Sequence, residues 1–365
     1  MVLSPAFQFE LREAAPILMH GGELPRTDAN SPVHSYAGRV FAFMSHYTPL
    51  GHTYRRIGSS IGQLTGPLER VRLLDDPDPT AGKWIESTWR APSGRLYGWY
   101  HAEEVVACAR RLFIPHIGAL VSDSDGASWR FLGEILRAPA SLMDCDYQNG
   151  FLAGGYGDCS VMADRTQTYL YVFFSSYVSA ESAQGVGMAR YKIDDCDRPG
   201  GRIELWRNGA WQLNADALPT PVHPVARGWK NSDPDAFWGP AVHFNRSIDA
   251  YVMLLNRTKN GRSNIVQEGI YVSFNRRLDD PAGWTPPVCM VKGGVWYPEV
   301  VGVGHDEGDT LAGASARFFM SGFSAWTVRF SRAEAGAPES QPIFMSLGEW
   351  TRLFGPSAPS RLGIG

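Results

Sequence analysis

Carboxylates and histidines stand at corresponding points of a weak internal repeat, where their side chains could reach one cavity. The candidates for proton transfer are Asp28, Asp158, Glu103, Glu299 and His243. Two carboxyl groups facing each other across a cavity can cleave a glycosidic bond. The protonated one donates to the leaving oxygen, and the ionised one activates water or attacks the sugar. A third carboxylate can keep the pKa of the acid high by like-charge repulsion.

Aromatic and polar residues beside these positions are candidates for holding a sugar. They are Asn30, His34, Trp99, His101, Tyr156, Trp238, Trp296 and Arg317. A flat aromatic ring can stack on a sugar face, and His101 shares a strand face with Glu103 because side chains alternate along a strand. Packing between sheets explains the aromatic residues equally well.

The candidates also have structural interpretations. Asp28 can cap a turn with Asn30, and Glu299 can be ion-paired within its strand. His34 and His243 each follow a valine in two of the repeats. That position suits a pair facing a channel, a shell around a calcium ion, or hydrogen-bonded core histidines.

Asp158 follows the glycine-rich run Ala153-Gly-Gly-Tyr-Gly157. Such a run allows a tight backbone, because glycine adopts conformations that other residues avoid. We therefore expect another group to approach closely beside Asp158.

Five segments share a pattern of an apolar residue, a short polar hairpin and an aromatic strand. They begin at Asp28, Trp84, Gly157, Trp238 and Trp296. Repeats at this spacing indicate a solenoid or a propeller, and five copies predict an all-β, five-bladed β-propeller with four-stranded antiparallel blades. We expect one domain over residues 1–365, with blades at about 28–74, 82–136, 151–213, 237–288 and 295–344. A lead-in before residue 28 would pack on the ring or close it, and residues 349–365 would form a tail.

Composition narrows the function classes. The net charge of −3 comes without a basic stripe, so a nucleic-acid partner is not expected. No apolar run is long enough to cross a membrane. Motifs of zinc peptidases, α/β-hydrolases, P-loop proteins and dinucleotide-binding proteins are missing. The oligomeric state cannot be predicted.

The cysteines and the N-terminus bear on localisation. Five cysteines without metal-type spacing predict reduced, structural thiols, no metal site of the CxxC type and, weakly, a cytoplasmic protein. The first residues lack a basic segment followed by an apolar one. We therefore expect a protein that is cytoplasmic, or exported with its signal already removed.

One turn resembles a known propeller element. The run Ser122-Asp-Ser-Asp-Gly-Ala-Ser-Trp129 is similar to the Asp-box of sialidase-type propellers, with Ser124 in place of the motif's Asp. The Asp-box is a folding turn on the rim, so it supports the fold and carries no chemistry.

The repeats resemble the five-bladed propeller glycoside hydrolases of family 43 and its relatives, families 32, 68 and 117. By position, Asp28 resembles the family's general base and Asp158 its second carboxylate, which tunes the acid and orients the sugar. We expect inversion by single displacement, whereas a separation of about 5 Å between the two carboxyl groups would give retention. The resemblance also implies that no cofactor is required, although some members hold a structural Ca²⁺ in the central channel.

The general acid departs from the family pattern. Family 43 begins a later blade with Glu before Gly-Pro or Ala-Pro, where this chain has Phe237-Trp-Gly-Pro240. The acid of family 117 is proposed to be a histidine, which makes His243 a candidate beside Glu103 and Glu299.

The sequence therefore predicts a glycoside hydrolase that acts on a small or terminal sugar unit. Asp28 would be the base, Asp158 the modulator, and Glu103, Glu299 or His243 the acid. A carbohydrate-binding propeller without catalysis is the alternative, favoured by the missing acid motif. A propeller lyase or sialidase-like enzyme is a further one, although Arg190 and Arg317 do not make a sialidase triad.

Overall fold

The computed structural model describes residues 7–24, 27–46, 51–213, 218–259, 266–334, 340–346 and 348. In these ranges the chain is built of β-strands, which confirms the all-β prediction. Single-turn 3₁₀ helices are found at Ala140–Leu142, Glu181–Ala183, Ile193–Asp195 and Pro281–Gly283. No helix of the described part is long and apolar enough to cross a membrane.

The strands form five sheets, named here in chain order. Sheet 1 has Val33–Tyr36, Arg39–His46, His52–Gly58 and Glu69–Arg70. Sheet 2 has Gly82–Arg90, Leu96–Ala107, Arg111–Ser122, Ser128–Leu136 and Arg72–Leu73. Sheet 3 has Tyr156–Ala163, Tyr169–Ser176, Gly185–Lys192, Glu204–Arg207, Ala210–Leu213 and His223–Pro224. Sheet 4 has Leu311–Ala312, Ala236–Asn245, Ala250–Thr258, Gln267–Asn275, Val288–Gly293 and Ile343–Met345. Sheet 5 has Pro298–Gly302, Ala316–Met320, Phe323–Arg332 and Phe7–Leu18.

The prediction of four strands in every blade is wrong for sheets 2, 3 and 4. Short segments of the connections add strands to them, some in parallel, as Arg72–Leu73 does beside Ser128–Leu136. Such additions cover N–H and C=O groups that an edge strand would otherwise leave unpaired. The added strands are two to four residues long, which is too short to leave a pattern in the sequence.

Hydrophobic cores between neighbouring sheets arrange the five sheets in a propeller-like ring. Each core holds side chains from two neighbouring sheets. The core between sheets 1 and 2 contains Phe41 and Tyr100, and the core between sheets 2 and 3 contains Trp99 and Phe174. The remaining cores contain Phe173 and Met253 (sheets 3 and 4), Val252 and Phe318 (sheets 4 and 5), and Phe319 and Met44 (sheets 5 and 1). Alternating residues of one strand enter different cores, because successive side chains point to opposite faces. This explains the aromatic-rich strands of the repeat.

The N-terminal strand closes the ring. Phe7–Leu18 pairs antiparallel with Phe323–Arg332, the last long strand of the chain as described. The buried Arg317 supports the junction: its guanidinium donates to the Ala15 carbonyl oxygen at 2.7 Å and to the Ser324 hydroxyl at 3.1 Å. The lead-in thus closes the ring as predicted, and Arg317, expected to bind substrate, lies at this seam instead.

The Asp-box-like turn lies where sheet 2 meets sheet 1. The Ser122 hydroxyl accepts the Gly126 N–H at 2.9 Å, and the Trp129 indole donates to the Gly126 carbonyl oxygen at 3.0 Å. The Trp129 ring is fully buried against Phe43. The turn therefore anchors the interface between two sheets.

The prediction of five reduced cysteines is wrong for two of them. Cys108 and Cys145 form a disulfide, while Cys159, Cys196 and Cys289 are free. Spacing could not reveal the pair, because their 37-residue separation is bridged only when a hairpin and a following loop fold together. Localisation remains a prediction.

Removing the closing strand's core contacts should destabilise the whole ring. We expect Phe9→Ala to lower the free energy of unfolding by about 3–5 kcal/mol, because the buried ring packs between sheets 4 and 5 and leaves a cavity. Glu10→Ala, an exposed neighbour on the same strand, should change it by less than about 0.5 kcal/mol. Urea unfolding of both variants measures the difference, and equal losses would contradict this role of the strand.

Candidate functional site

β-Bulges in the first long strands of sheets 2, 3 and 4 shape the candidate site. The register shifts between Ile85 and Ser87 in sheet 2, between Gly157 and Cys159 in sheet 3, and between Trp238 and Ala241 in sheet 4. The extra residue is Glu86 in sheet 2 and Asp158 in sheet 3. A bulge re-aims a side chain out of the normal alternation, and here two bulges each re-aim a carboxylate.

These strands meet at the centre of the ring. The side-chain amide of Asn30, just before sheet 1, donates to the Cys159 carbonyl oxygen at 3.2 Å and to the Pro240 carbonyl oxygen at 2.9 Å. One buried residue therefore ties sheets 1, 3 and 4 together beside the Asp158 bulge. Asn30, predicted to bind substrate, holds the centre of the ring in this structure.

Two tyrosines hold the carboxylate of Asp158. The Tyr177 hydroxyl donates to Oδ2, and the Tyr297 hydroxyl donates to Oδ1 at 3.3 Å. Burial and the charge of Glu86 raise the pKa of Asp158 to about 6, against the lowering effect of His101 and the two hydroxyls. Asp158 has a φ of 40° and Tyr297 a φ of 56°. Left-handed conformations of this kind are costly outside glycine and concentrate at functional sites.

A buried ion pair lies next to Asp158. The Nδ1 atom of His101 is 2.9 Å from the Oε1 atom of Glu86, and its Nε2 atom is 3.9 Å from the Oε1 atom of Glu103. The Trp84 ring stacks on the imidazole, with centroids 4.9 Å apart. Burial is the largest single effect and disfavours the imidazolium, but the charge and hydrogen bond of Glu86, with the charges of Asp158 and Glu103, together outweigh it and raise the pKa of His101 to about 10.

Glu103 is a carboxyl group that stays protonated at neutral pH. Burial raises its pKa to about 8, helped by the charges of Asp28 and Asp158 and opposed by His101. Its side chain is 16% exposed, so a ligand can reach it. Asp28 is partly exposed, and its charge also raises the pKa of Tyr297. Asp28, Glu103 and Asp158 therefore lie in one electrostatic cluster.

The glycine-rich run brings this cluster together. A Cβ atom at Gly157 would lie 2.8 Å from the Cβ atom of Pro115, and one at Gly155 would meet the Pro115 carbonyl group. Pro115 is the strand partner of Glu103. The close approach expected beside Asp158 is confirmed. The approaching residue is Pro115, whose strand pairs with the strand of Glu103.

Glu86, His101 and Asp158 could also hold a metal ion, because one ligand atom of each lies within 4.8 Å of the others. The existing contacts favour an ion-pair cluster. Glu86 is paired with His101, and Asp158 accepts two hydroxyl hydrogen bonds. The structural Ca²⁺ in the central channel stays a prediction.

The other two acid candidates, Glu299 and His243, are buried side chains, and the charge of Glu86 reaches Glu299. Glu299 is buried and accepts the Ser31 N–H, and burial and then Asp309 raise its pKa well above the usual range. His243 packs on Phe330 between sheets 4 and 5, and burial alone lowers its pKa to about 3. No carboxylate contributes to that shift, so His243 does not share the field of Asp28 and Asp158.

Several predicted sugar-binding residues are core residues. Trp99 is fully buried and donates to the Tyr191 hydroxyl at 2.9 Å. Tyr156 is buried against Phe174. His34 stacks on Phe41, at the interface of sheets 1 and 2. Packing, the alternative left open by the sequence, accounts for Trp99 and Tyr156, and His34 is a hydrogen-bonded interface residue with its Nδ1 atom 3.3 Å from the Thr88 hydroxyl.

Trp238 and Trp296 pack beside Tyr297, one of the two tyrosines that hold Asp158. The Trp238 ring meets the rings of Trp296 and Tyr297 edge to face, at 5.7 and 5.9 Å. Trp238 is buried, whereas Trp296 is partly exposed. Trp238 therefore supports Tyr297, and Trp296 is the ring of this group that has access to solvent.

Sequence reasoning assigned no role to Glu86, Trp84, Tyr177 or Tyr297. The bulge at Glu86 explains the first omission, because a bulge breaks the alternation on which the sequence argument depends. Tyr177 lies just beyond a strand end and has no distinguishing pattern. Tyr297 directly follows Trp296, where one of the repeats begins, and this position could have marked it as a candidate site residue.

Comparison with solved structures supports the fold. A Bifidobacterium bifidum protein assigned as an exo-β-1,3-galactanase aligns over 92% of this chain and 97% of its own, with a TM-score of 0.50 and 12% identity. An α-L-arabinanase from Penicillium chrysogenum aligns over 85% of this chain and 80% of its own, with a TM-score of 0.49 and 13% identity. No protein-family description and no curated protein matches the sequence. The alignment with the Bifidobacterium bifidum protein shows that the chain shares its fold, at a sequence identity of only 12%.

Removing the Tyr177 hydroxyl should raise the pKa of Asp158 above about 6. The hydroxyl stabilises the ionised carboxylate, so its loss favours the protonated form. ¹³C NMR of the Asp158 carboxyl group in Tyr177→Phe measures the shift. Tyr156→Phe is the matched control, because its buried hydroxyl has no hydrogen-bond partner among the described residues. A pKa that is unchanged in Tyr177→Phe would contradict the assigned hydrogen bond.

Proposed function

We propose that the protein is a glycoside hydrolase that cleaves a small or terminal sugar unit by single displacement with inversion. The five sheets would be the five blades of one propeller domain, with the site at its centre. The observation that carries the proposal is the grouping of Asp28, Glu103 and Asp158, in which Glu103 has a pKa of about 8. Environments that push the pKa values of neighbouring carboxyl groups apart separate an acid from a base.

Glu103 would be the general acid. Its proton passes to the glycosidic oxygen as the bond from that oxygen to the anomeric carbon breaks. The Asp28 carboxylate would take a proton from a water molecule whose oxygen attacks the anomeric carbon from the opposite face. The products are a sugar hemiacetal and the released alcohol.

Asp158 would bind the sugar and tune the acid. Its charge raises the pKa of Glu103, and Tyr177 and Tyr297 fix its orientation. It thus keeps the proton on Glu103 until the glycosidic oxygen accepts it. Glu103 supplies the acid that the blade-four sequence lacks, from a strand of sheet 2.

A carbohydrate-binding propeller without catalysis is the second candidate. The bulge in sheet 4 carries Gly239 and Pro240, so it places no carboxylate where the resembling family has its acid. This alternative predicts that oligosaccharide binding survives loss of Glu103 and that no bond is cleaved.

The test is hydrolysis of β-1,3-galactotriose, arabinohexaose and a wider panel of oligosaccharides. We expect Asp28→Asn and Glu103→Gln each to lower kcat by about 10²–10⁴-fold, because each removes a proton-transfer group. Glu104→Gln should retain activity, because Glu104 pairs with Arg137 at 2.7 Å on the other strand face. Near wild-type turnover in Asp28→Asn would contradict the assignment, and binding without cleavage by the wild type would favour the alternative.

The pH dependence should report Glu103. Because the acid must be protonated, kcat/KM should fall as pH rises through about 8, the pKa of Glu103. The same limb should be missing from the residual activity of Glu103→Gln. An alkaline limb unchanged in that variant would assign the acid to another group.

A further inference from the structure

Glu86 makes two contacts from one fully buried position. Its Oε1 atom pairs with the His101 imidazole at 2.9 Å, and its Oε2 atom accepts the Cys159 N–H. The side chain of Glu86 has no exposed surface. It therefore cannot touch a substrate and can act only through the groups that it holds.

The first contact places a cation beside the acid. His101 lies between Glu86 and Glu103, with Nδ1 towards one carboxylate and Nε2 towards the other. The stacked Trp84 ring limits rotation of the imidazole. The position of the positive charge relative to Glu103 thus depends on Glu86.

The second contact fixes the Asp158 bulge. Cys159 follows Asp158, whose left-handed backbone needs support from its surroundings. The hydrogen bond from the Cys159 N–H joins this backbone to the strand of sheet 2 that carries Glu86. Glu86 therefore links the strand of Asp158 to the ion pair beside Glu103.

We propose that Glu86 is a positioning residue that sets His101 against Glu103 and holds the Asp158 bulge in place. The role rests on the proposed function, because Glu103 and Asp158 are its acid and modulator. The groups that face Glu103 are His101, Asp28, Asp158 and Glu86. His101 is the cation among them and offsets part of the negative charge of the others.

The expected effect on the acid has a definite sign. His101 lowers the pKa of Glu103 more than Glu86 raises it. Replacing both in Glu86→Gln/His101→Gln should therefore raise the pKa of Glu103, and the alkaline limb of kcat/KM should move up by about one pH unit. The two introduced amides can still hydrogen-bond to each other, and the amide oxygen at position 86 can still accept the Cys159 N–H.

A matched control lies on the other face of the same strands. Glu104 and His116 are the same two residue types, with Oε1 and Nδ1 3.7 Å apart, but burial and the charge of Arg137 lower the pKa of His116 to about 4, so it is neutral. Glu104→Gln/His116→Gln makes the same two substitutions without removing a cation beside Glu103, so its alkaline limb should stay in place. If both double variants lose activity with unshifted limbs, Glu86 and His101 have only a structural role.

A titration measures the pair without any substrate. NMR of the imidazole nitrogens should show His101 titrating at about 10 in the wild type and at least about one unit lower in Glu86→Gln. A wild-type His101 that titrates near its ordinary value would overturn the proposal, as would tight stoichiometric binding of Zn²⁺ by these residues. If no substrate is hydrolysed but His101 titrates at about 10 in the wild type, the proposed function alone is overturned.

Discussion

Closure of the ring is the constraint on which the rest of the structure depends. Because Phe7–Leu18 completes the last sheet, neighbouring sheets must share cores, and their edge strands must converge on one centre. Residues far apart in sequence meet there, such as Asn30, Cys159 and Pro240. Convergence leaves little room for regular pairing, and the first long strands of sheets 2, 3 and 4 carry bulges at this point.

The bulges turn a packing constraint into chemistry. Glu86 and Asp158 leave the alternation of their strands and come close to Glu103 and Asp28, with His101 as the cation among them. Burial is the largest effect that keeps the proton on Glu103, and the charges of Asp28 and Asp158 add to it. The compensating His101 has its Nε2 atom 3.9 Å from the Oε1 atom of Glu103 and only partly offsets these effects.

Much of the fold could be predicted from sequence. The aromatic strands and turns revealed the repeat, and the segments predicted at about 28–74 and 82–136 contain the main strands of sheets 1 and 2. The placement of His101 and Glu103 on one face followed from strand alternation alone. The sequence could not show which large rings are buried, as Trp99 and Tyr156 are, because a ring in a core and a ring in a sugar site have the same pattern. It also could not show the bulge at Glu86 or the disulfide, since both depend on how distant segments meet.

The most direct test of the central claim compares substrates that differ in their need for an acid. A glycosyl fluoride needs little protonation of its leaving group, whereas an oligosaccharide needs a proton on the glycosidic oxygen. If Glu103 is the acid, Glu103→Gln should hydrolyse the fluoride of the cleaved sugar at nearly the wild-type rate and lose about 10²–10⁴-fold on the oligosaccharide. An equal loss on both substrates would show that Glu103 does not deliver the proton.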